Sequence, residues 1–363
     1  MSEAPAAVRT LAPRLERVRA RLGEEGLDAL VLLKAENRRY VTGFTGSAGI
    51  AVILPQRCHL LVDFRYVEQA QEEAPECSAV RVTNLIDGLA GFLREAGVRR
   101  VGFEAETVTV AQHHRLQELA ADVEFVPLQA LDRMRWRKDP QEIACIRRGA
   151  QIAAAAFREV LPLVRPGVAE RDLAAELEYR MRRLGADGAA FETIVASGPR
   201  SALPHGRASS RAIAPGDLVT VDWGAVVDGY HSDSTRTLVI GRASEQQRRL
   251  HRLVREAQEA ALTGLRPGMS GREADALARQ RITAAGYGDY FGHGLGHGVG
   301  LAVHEGPTLS PREEAVLEPE VVVTVEPGIY LPGWGGVRME DLVVLRAGGA
   351  EVLPGAPREL LEI

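Results

Sequence analysis

The chain has 363 residues, 45% hydrophobic and 26% charged, the balance of an ordinary globular protein with room for two domains. A net charge of −5 argues against a nucleic-acid protein, which carries a basic excess. No apolar run approaches a membrane span, and the opening MSEAPAAVRT lacks the basic and apolar stretches of a secretory leader. Three cysteines, Cys58, Cys77 and Cys145, are odd in number and far apart, so no disulfide framework or zinc–thiolate site is expected and a cytoplasmic location fits. Of the 44 basic residues only Lys34 and Lys138 are lysine, which reads as compositional bias towards arginine. Nine histidines are present, and three of them (His293, His297, His304) fall within twelve residues.

Residues 1–135 alternate helix and strand signals and read as an α/β domain. Leu11, Leu15, Val18 and Leu22 sit at helical spacing. Residues 28–33, 50–54, 59–62, 80–82, 101–103 and 123–126 read as strands, with a turn at Pro55-Gln56-Arg57. The run Gly43-Phe44-Thr45-Gly46 is followed by an apolar strand, not a helix, which argues against a nucleotide turn. His113 and His114 read as an exposed helix face. In RMRWRKDPQEI, Asp139 is placed as an N-cap, Pro140 suits the first helical turn and Glu142 completes a capping box. The domain boundary is therefore placed at residue 135. Cys145, on the helix that follows, reads as a small core residue.

Residues 136–363 contain an internal repeat. Arg165-Pro166-Gly167 recurs as Arg266-Pro267-Gly268 and Arg171 as Arg272, each at an offset of 101 residues. Each copy has a helix on either side of this turn, then two strands. Ser244 with Gln247 and Ser270 with Glu273 have capping-box spacing. The first strand pair is 218–227 and 230–240, joined by Asp228-Gly229, a strong two-residue hairpin signal. The second is 321–330 and 337–345, joined by a glycine-rich loop at 331–336. The expected fold is α+β with pseudo-twofold halves, and a site between such halves draws residues from both.

The acids lie on these hairpins. If Val227 faces Tyr230, Asp233 faces Gly224 and Asp222 is its diagonal neighbour on the same face, about 7–8 Å away. Trp223, Val221 and Val219 then point into a core, and Gly224 leaves space beside Asp233. Glu326 and Glu340 occupy apolar strands of the second hairpin, at offsets of 104 and 107 residues from Asp222 and Asp233. Apolar strands do not bury acids without partners, so the four carboxylates need cations. The segment from His293 to Glu305 is too rich in glycine for a helix and reads as a loop entering a strand near Leu301; its alternating glycines do not make a phosphate cradle. Carboxylates with an imidazole suit Mn²⁺, Co²⁺ or Zn²⁺, and a pair of such ions can generate a hydroxide nucleophile at neutral pH.

The run from His293 to Glu305 resembles, position by position, the signature of the Xaa-Pro peptidases, the family that includes prolidase and aminopeptidase P. SGPRSALPHG, VDWG, YHSDSTRT, TVEPGIY and VRMED agree, and ENRRYVTGFTGS resembles the N-terminal domain of prolidases and creatinases. The resemblance implies a pita-bread catalytic domain holding two divalent ions, Mn²⁺ first. Asp222 would bind one ion, His297 and Glu326 the other, and Asp233 and Glu340 both. It further implies that His205 and His304 stabilise the tetrahedral intermediate and the departing prolyl nitrogen. His293 and Arg338 would line the proline pocket, and Glu326 would act as general base. Arg200 departs from the asparagine of many relatives and reads as solvated or as a contact to a substrate carboxylate. The implied activity is hydrolysis of the Xaa–Pro bond in dipeptides, with aminopeptidase P action on longer peptides as the alternative. A homodimer acting on small peptides with proline second is implied, with no nucleic-acid or membrane partner.

Overall fold

The computed structural model describes residues 11–363, so the opening segment read above for a leader lies outside the described residues. Contacts divide the chain into a unit ending at Asp132 and a unit spanning Arg133–Ile363. No helix among the described residues is long and apolar enough to cross a membrane.

The first unit is a six-stranded mixed sheet. Its order is Ser78–Arg81, Cys58–Val62, Ile50–Ile53, Ala29–Leu32, Arg100–Glu104, Glu124–Leu128. The central strands are apolar on both faces, as covered strands must be. The helix Ala12–Glu25 buries Leu15, Val18 and Leu22, the stripe expected from their spacing. Cysteine pairing corrects the sequence reading. Cys58–Val62 runs parallel to Ser78–Arg81, with His59 opposite Ser78, so Cys58 and Cys77 sit side by side and form a disulfide. Only the sheet pairing brings together residues 19 apart in sequence. His113 is also less exposed than expected: it is half-buried, with its ring 5.3 Å from that of Phe103, whereas His114 is exposed.

The second unit has the expected two halves. Pro140–Val160 starts on a capping box in which Asp139 accepts from the Gln141 and Glu142 amides and Glu142 reaches back to Asp139. Cys145 on this helix is half-buried rather than in the core. Glu170–Arg183 follows, and then the first hairpin. In the second half, Glu245–Gly264 and Gly271–Ala284 both begin on the capping boxes read from sequence. Each half has its own core. Ile152, Phe157, Leu177 and Trp223 belong to the first, and Leu250, Val254, Val323 and Val343 to the second.

The first hairpin keeps the expected register throughout, with Val227 opposite Tyr230 and Asp222 opposite Thr235. It is interrupted, however, at Gly224 and at Ser232-Asp233, where the strands change sheet. Gly224 does not leave space beside Asp233. A Cβ there would lie 1.9 Å from the Ser232 carbonyl oxygen, so this glycine admits a close backbone approach. The second hairpin divides similarly, into Val322–Val325 with Asp341–Arg346 and Gly328–Leu331 with Gly335–Arg338. Its turn is shorter than the expected loop, because Leu331 pairs with Gly335. The two hairpins meet at an antiparallel bridge between Thr235 and Glu340, where the Glu340 amide donates to the Thr235 carbonyl at 3.0 Å.

Candidate metal centre

The hairpin geometry decides which way the acids face. Trp223 is buried against Phe157, stacked at 4.3 Å, and its Nε1 donates to the Ala153 carbonyl at 2.9 Å. With Trp223, Val221 and Val219 committed to that core, alternation turns Asp222 to the opposite face. Asp233 lies between Tyr230–His231 and Ser234–Val239, Glu326 directly follows Val322–Val325, and Glu340 sits at the bridge between the hairpins. The histidine segment enters a strand earlier than expected. His297 is the middle residue of Gly296–Gly298, and residues 301–304 are a series of bends. The glycines explain this placement: a Cβ on Gly296 would lie 2.0 Å from the Thr324 carbonyl oxygen.

Asp222, Asp233, His297, Glu326 and Glu340 line one cavity of about 900 Å³. His297 Nε2 is 3.4 Å from Glu326 Oε1 and 3.7 Å from Asp233 Oδ2. Ligand atoms of Asp233, His297 and Glu340 lie within 4.8 Å of one another. The neighbouring hydrogen bonds fix rotamers. Thr235 Oγ1 donates to Glu340 Oε2 at 2.6 Å, Thr324 Oγ1 donates to Glu326 Oε1 at 3.1 Å, and the His297 amide donates to Thr324 Oγ1 at 3.0 Å. Arg338 Nη2 donates to Asp222 Oδ2 at 2.6 Å.

One guanidinium cannot balance four carboxylates. Burial, and then the neighbouring carboxylates, push Asp233 and Glu340 well above the usual carboxylate range. Burial pushes Glu326 up to about 7. Asp222 Oδ1 is buried without a hydrogen-bond partner. Burial also lowers His297, keeping its imidazole neutral and able to act as a ligand. A set of hard oxygens plus one neutral nitrogen, with an orphaned oxygen and mutual repulsion, fits divalent cations.

The other expected residues line the same cavity. His304 is exposed, with its ring 4.3 Å from that of His297. His205 is exposed on the loop after Gly198–Ala202. His293 is held by its neighbours: Tyr330 Oη is 2.9 Å from Nε2, and Arg279 Nη2 donates to the His293 carbonyl at 2.6 Å. Burial lowers His293 to about 4. Arg338 Nη1 donates to Tyr330 Oη at 2.9 Å and to the Pro204 carbonyl at 3.2 Å, so it braces the loop carrying His205. Tyr330 and Thr235 escape the sequence reading because their partners, His293 and Glu340, are distant in sequence, and Thr324 because it ties Glu326 to the His297 amide 27 residues earlier.

Arg200, partly exposed, has protein partners that the sequence reading did not include. Its Nε donates to the buried carboxylate of Glu170 at 3.1 Å and its Nη2 to the Arg207 carbonyl. Glu170 also accepts from the amides and hydroxyls of Ser197 and Ser209.

A cavity of this kind, with clustered carboxylates and neutral imidazoles, is that of a metal-dependent hydrolase. Residues 144–347 match metallopeptidase family M24, and residues 14–136 match the creatinase/prolidase N-terminal domain. The chain belongs to metallopeptidase family M24. The solved structure of an Xaa-Pro dipeptidase from Bacillus anthracis is 44% identical, covers 98% of this chain and 100% of its own, and has a TM-score of 0.94. That of an X-Pro aminopeptidase from Thermotoga maritima is 40% identical, with 96% and 99% covered and a TM-score of 0.90. An Xaa-Pro dipeptidase of Pyrococcus furiosus is 39% identical over 350 residues, 96% of this chain and 99% of that one.

Proposed function

We propose that the protein is an Xaa-Pro dipeptidase whose chemistry resides in residues 136–363, with residues 1–135 as the N-terminal domain. The carrying observation is the cavity in which four carboxylates, His297 and three further histidines converge. In this reading Asp222 would be a ligand of one divalent ion and His297 and Glu326 of another, and Asp233 and Glu340 would serve both. Two ions per chain, manganese first with zinc or cobalt fitting the same donors, would supply Lewis acidity and an activated water at neutral pH.

The chain's own groups do the rest. Glu326 takes the proton of the attacking water on a carboxylate oxygen and returns it to the prolyl nitrogen. His205 and His304 donate to the oxygen and nitrogen that change charge as the bond breaks. His293 and Arg338 line the proline side, where the guanidinium, held by Thr235, Pro204, Tyr330 and Asp222, offers the substrate carboxylate its positive charge and one remaining Nη2 hydrogen.

The substrate chemistry explains the need for such a site. An Xaa–Pro bond is a tertiary amide without N–H, and the proline ring restricts the backbone, so a peptidase that binds its substrate as a strand loses a hydrogen bond and clashes with the ring. The Thermotoga maritima relative supports a second reading, release of the first residue from longer peptides.

Bound metal per chain, together with release of proline from Ala-Pro, of alanine from Ala-Pro-Ala and of urea from creatine, tests the proposal. Release from Ala-Pro with bound metal supports it. Cleavage of the tripeptide alone moves the assignment to aminopeptidase P. No metal and no release overturns it.

The reading includes a homodimer, checked by light scattering, and a cytoplasmic location. The Cys58–Cys77 bond weighs against the latter, since cytoplasmic thiols stay reduced. Three thiols in rapidly alkylated protein support the cytoplasm and one opposes it.

A further inference from the structure

The two lysines are not scattered by composition. Each forms an ion pair with an acid far away in sequence, Lys34 with Asp132 and Lys138 with Glu305. In a chain whose other basic residues are all arginine, a lysine marks a place that a guanidinium does not fit. At Lys138 the reason is visible. Its Nζ donates to the Arg135 carbonyl at 2.7 Å, to the Trp136 carbonyl at 3.0 Å and to Glu305 Oε1 at 2.6 Å. These three bonds match the three ammonium hydrogens converging from one nitrogen, whereas a guanidinium spreads its donors over a planar fork. The other oxygen, Glu305 Oε2, accepts from Arg135 Nη2 at 3.1 Å. All three side chains are 1% exposed.

Two cations and one carboxylate sealed from water are a poor source of stability, because desolvation offsets the attraction. Such a cluster more readily enforces one register, and a register needs enforcing here. Gly296–Gly298 pairs irregularly with Glu305–Leu309: Gly296 faces Leu309, Gly298 faces Glu305, and the ladder shifts between them. His297 and His304 flank the Gly298–Glu305 pair. The backbone ladder alone therefore leaves their spacing loosely specified.

The cluster closes on this turn from both ends. A Cβ on Gly300 would lie 2.5 Å from Glu305 Oε1 and 3.0 Å from Lys138 Cε, and one on Gly306 would lie 2.4 Å from the Trp136 ring. Lys138 is itself anchored, its amide donating to the Glu320 carbonyl at 2.8 Å.

We propose that Lys138, Arg135 and Glu305 are positioning residues that set His304 against His297, so that the segment leading into the helix Pro140–Val160 is part of the peptidase machinery. The role in turnover rests on the peptidase reading above; the positioning itself does not.

The test uses Lys138→Met, Lys138→Arg and Glu305→Gln in the full chain. It reads kcat and KM for Ala-Pro in the metal-loaded enzyme, and the imidazole Cε1–H NMR signals in metal-free protein. All three variants are expected to lower kcat by about tenfold or more with KM within about twofold, because small misplacements of reacting groups cost rate. Lys138→Arg keeps the charge and is expected not to rescue. The His304 signal shifts or splits, while those of His113 and His114 stay in place. Val254→Ala, a truncation in the second core, is the control for destabilisation alone: it lowers Tm and leaves kcat unchanged.

Folded Lys138→Met and Glu305→Gln with parental kcat and an unmoved His304 signal overturn the proposal. If the lysine variants do not fold, Glu305→Gln, which keeps the side chain's shape, decides by the same readouts. A parent without Xaa-Pro activity defeats the peptidase reading, while the NMR arm still decides the positioning.

Discussion

Glu170 and Glu340 are both buried glutamates on the same catalytic unit, yet their surroundings differ completely. Burial alone would raise Glu170, but the hydroxyls and amides of Ser209 and Ser197 outweigh it and hold its carboxyl below the usual range. Glu340 has one hydroxyl donor, from Thr235, and faces Glu326 and Asp222, so burial and repulsion together push it well above that range. A buried carboxylate fully supplied with donors is finished structure. One left among other carboxylates, as Glu340 is, awaits a cation that the chain does not supply.

This contrast is open to direct attack. The largest effect is expected at Glu340. Glu340→Gln lowers Ala-Pro hydrolysis by about 10³-fold or more. It also removes a repulsion, so thermal melting of the chelated protein shows Tm unchanged or higher; a fall of several degrees breaks the contrast. Glu170→Gln acts in the opposite sense on stability. It strips a charge from a satisfied network and costs about 3–5 kcal/mol in denaturant unfolding.

Divalent ions sharpen the comparison next. Mn²⁺ at about 100 times its Kd stabilises the parent by about 2.7 kcal/mol for each ion bound. The same gain is expected in Glu170→Gln and little of it in Glu340→Gln, as read by denaturant midpoints with and without chelator.

The two clusters also respond oppositely to pH. Glu326, Asp233 and Glu340 hold their protons more tightly folded than unfolded. In metal-free protein the contribution of these three groups is therefore fully present below the ordinary carboxyl pKa and is lost as pH rises, through about 7 for Glu326. Glu170 contributes stability above the ordinary carboxyl pKa, which is lost as pH falls through its lowered value. Unfolding of chelated protein across pH is expected to lose its neutral-pH decline once metal is restored. The smallest effect is at Arg200, which is partly exposed: Arg200→Ala costs about 1.5 kcal/mol in the same unfolding assay, the order of one charged hydrogen bond.

Much of this was legible in residue order. Asp228-Gly229 set the hairpin turn, the turn set the register, and the register put Asp222 and Asp233 on one face away from Trp223. The capping boxes at Asp139, Ser244 and Ser270 were equally readable, because each closes within three residues. Three contacts escaped the sequence for a shared cause. Cys58 and Cys77 meet through sheet pairing, Gly224 serves a carbonyl across the hairpin, and Arg200 answers to Glu170, thirty residues earlier. None of these partners lies within one local repeat of the chain.

Residue order thus carried what is local and periodic: the helix starts, the hairpin register, the repeat of 101 residues and a pair of acids on the hairpin of each copy. Tertiary structure alone decided which buried charges are satisfied. It gave Glu170 its donors, left Asp222 Oδ1 without one, and brought Lys138 to Glu305 beside His304. A hydrogen bond or ion pair depends on distances of a few ångströms between segments far apart in sequence, and only the packed chain sets those distances.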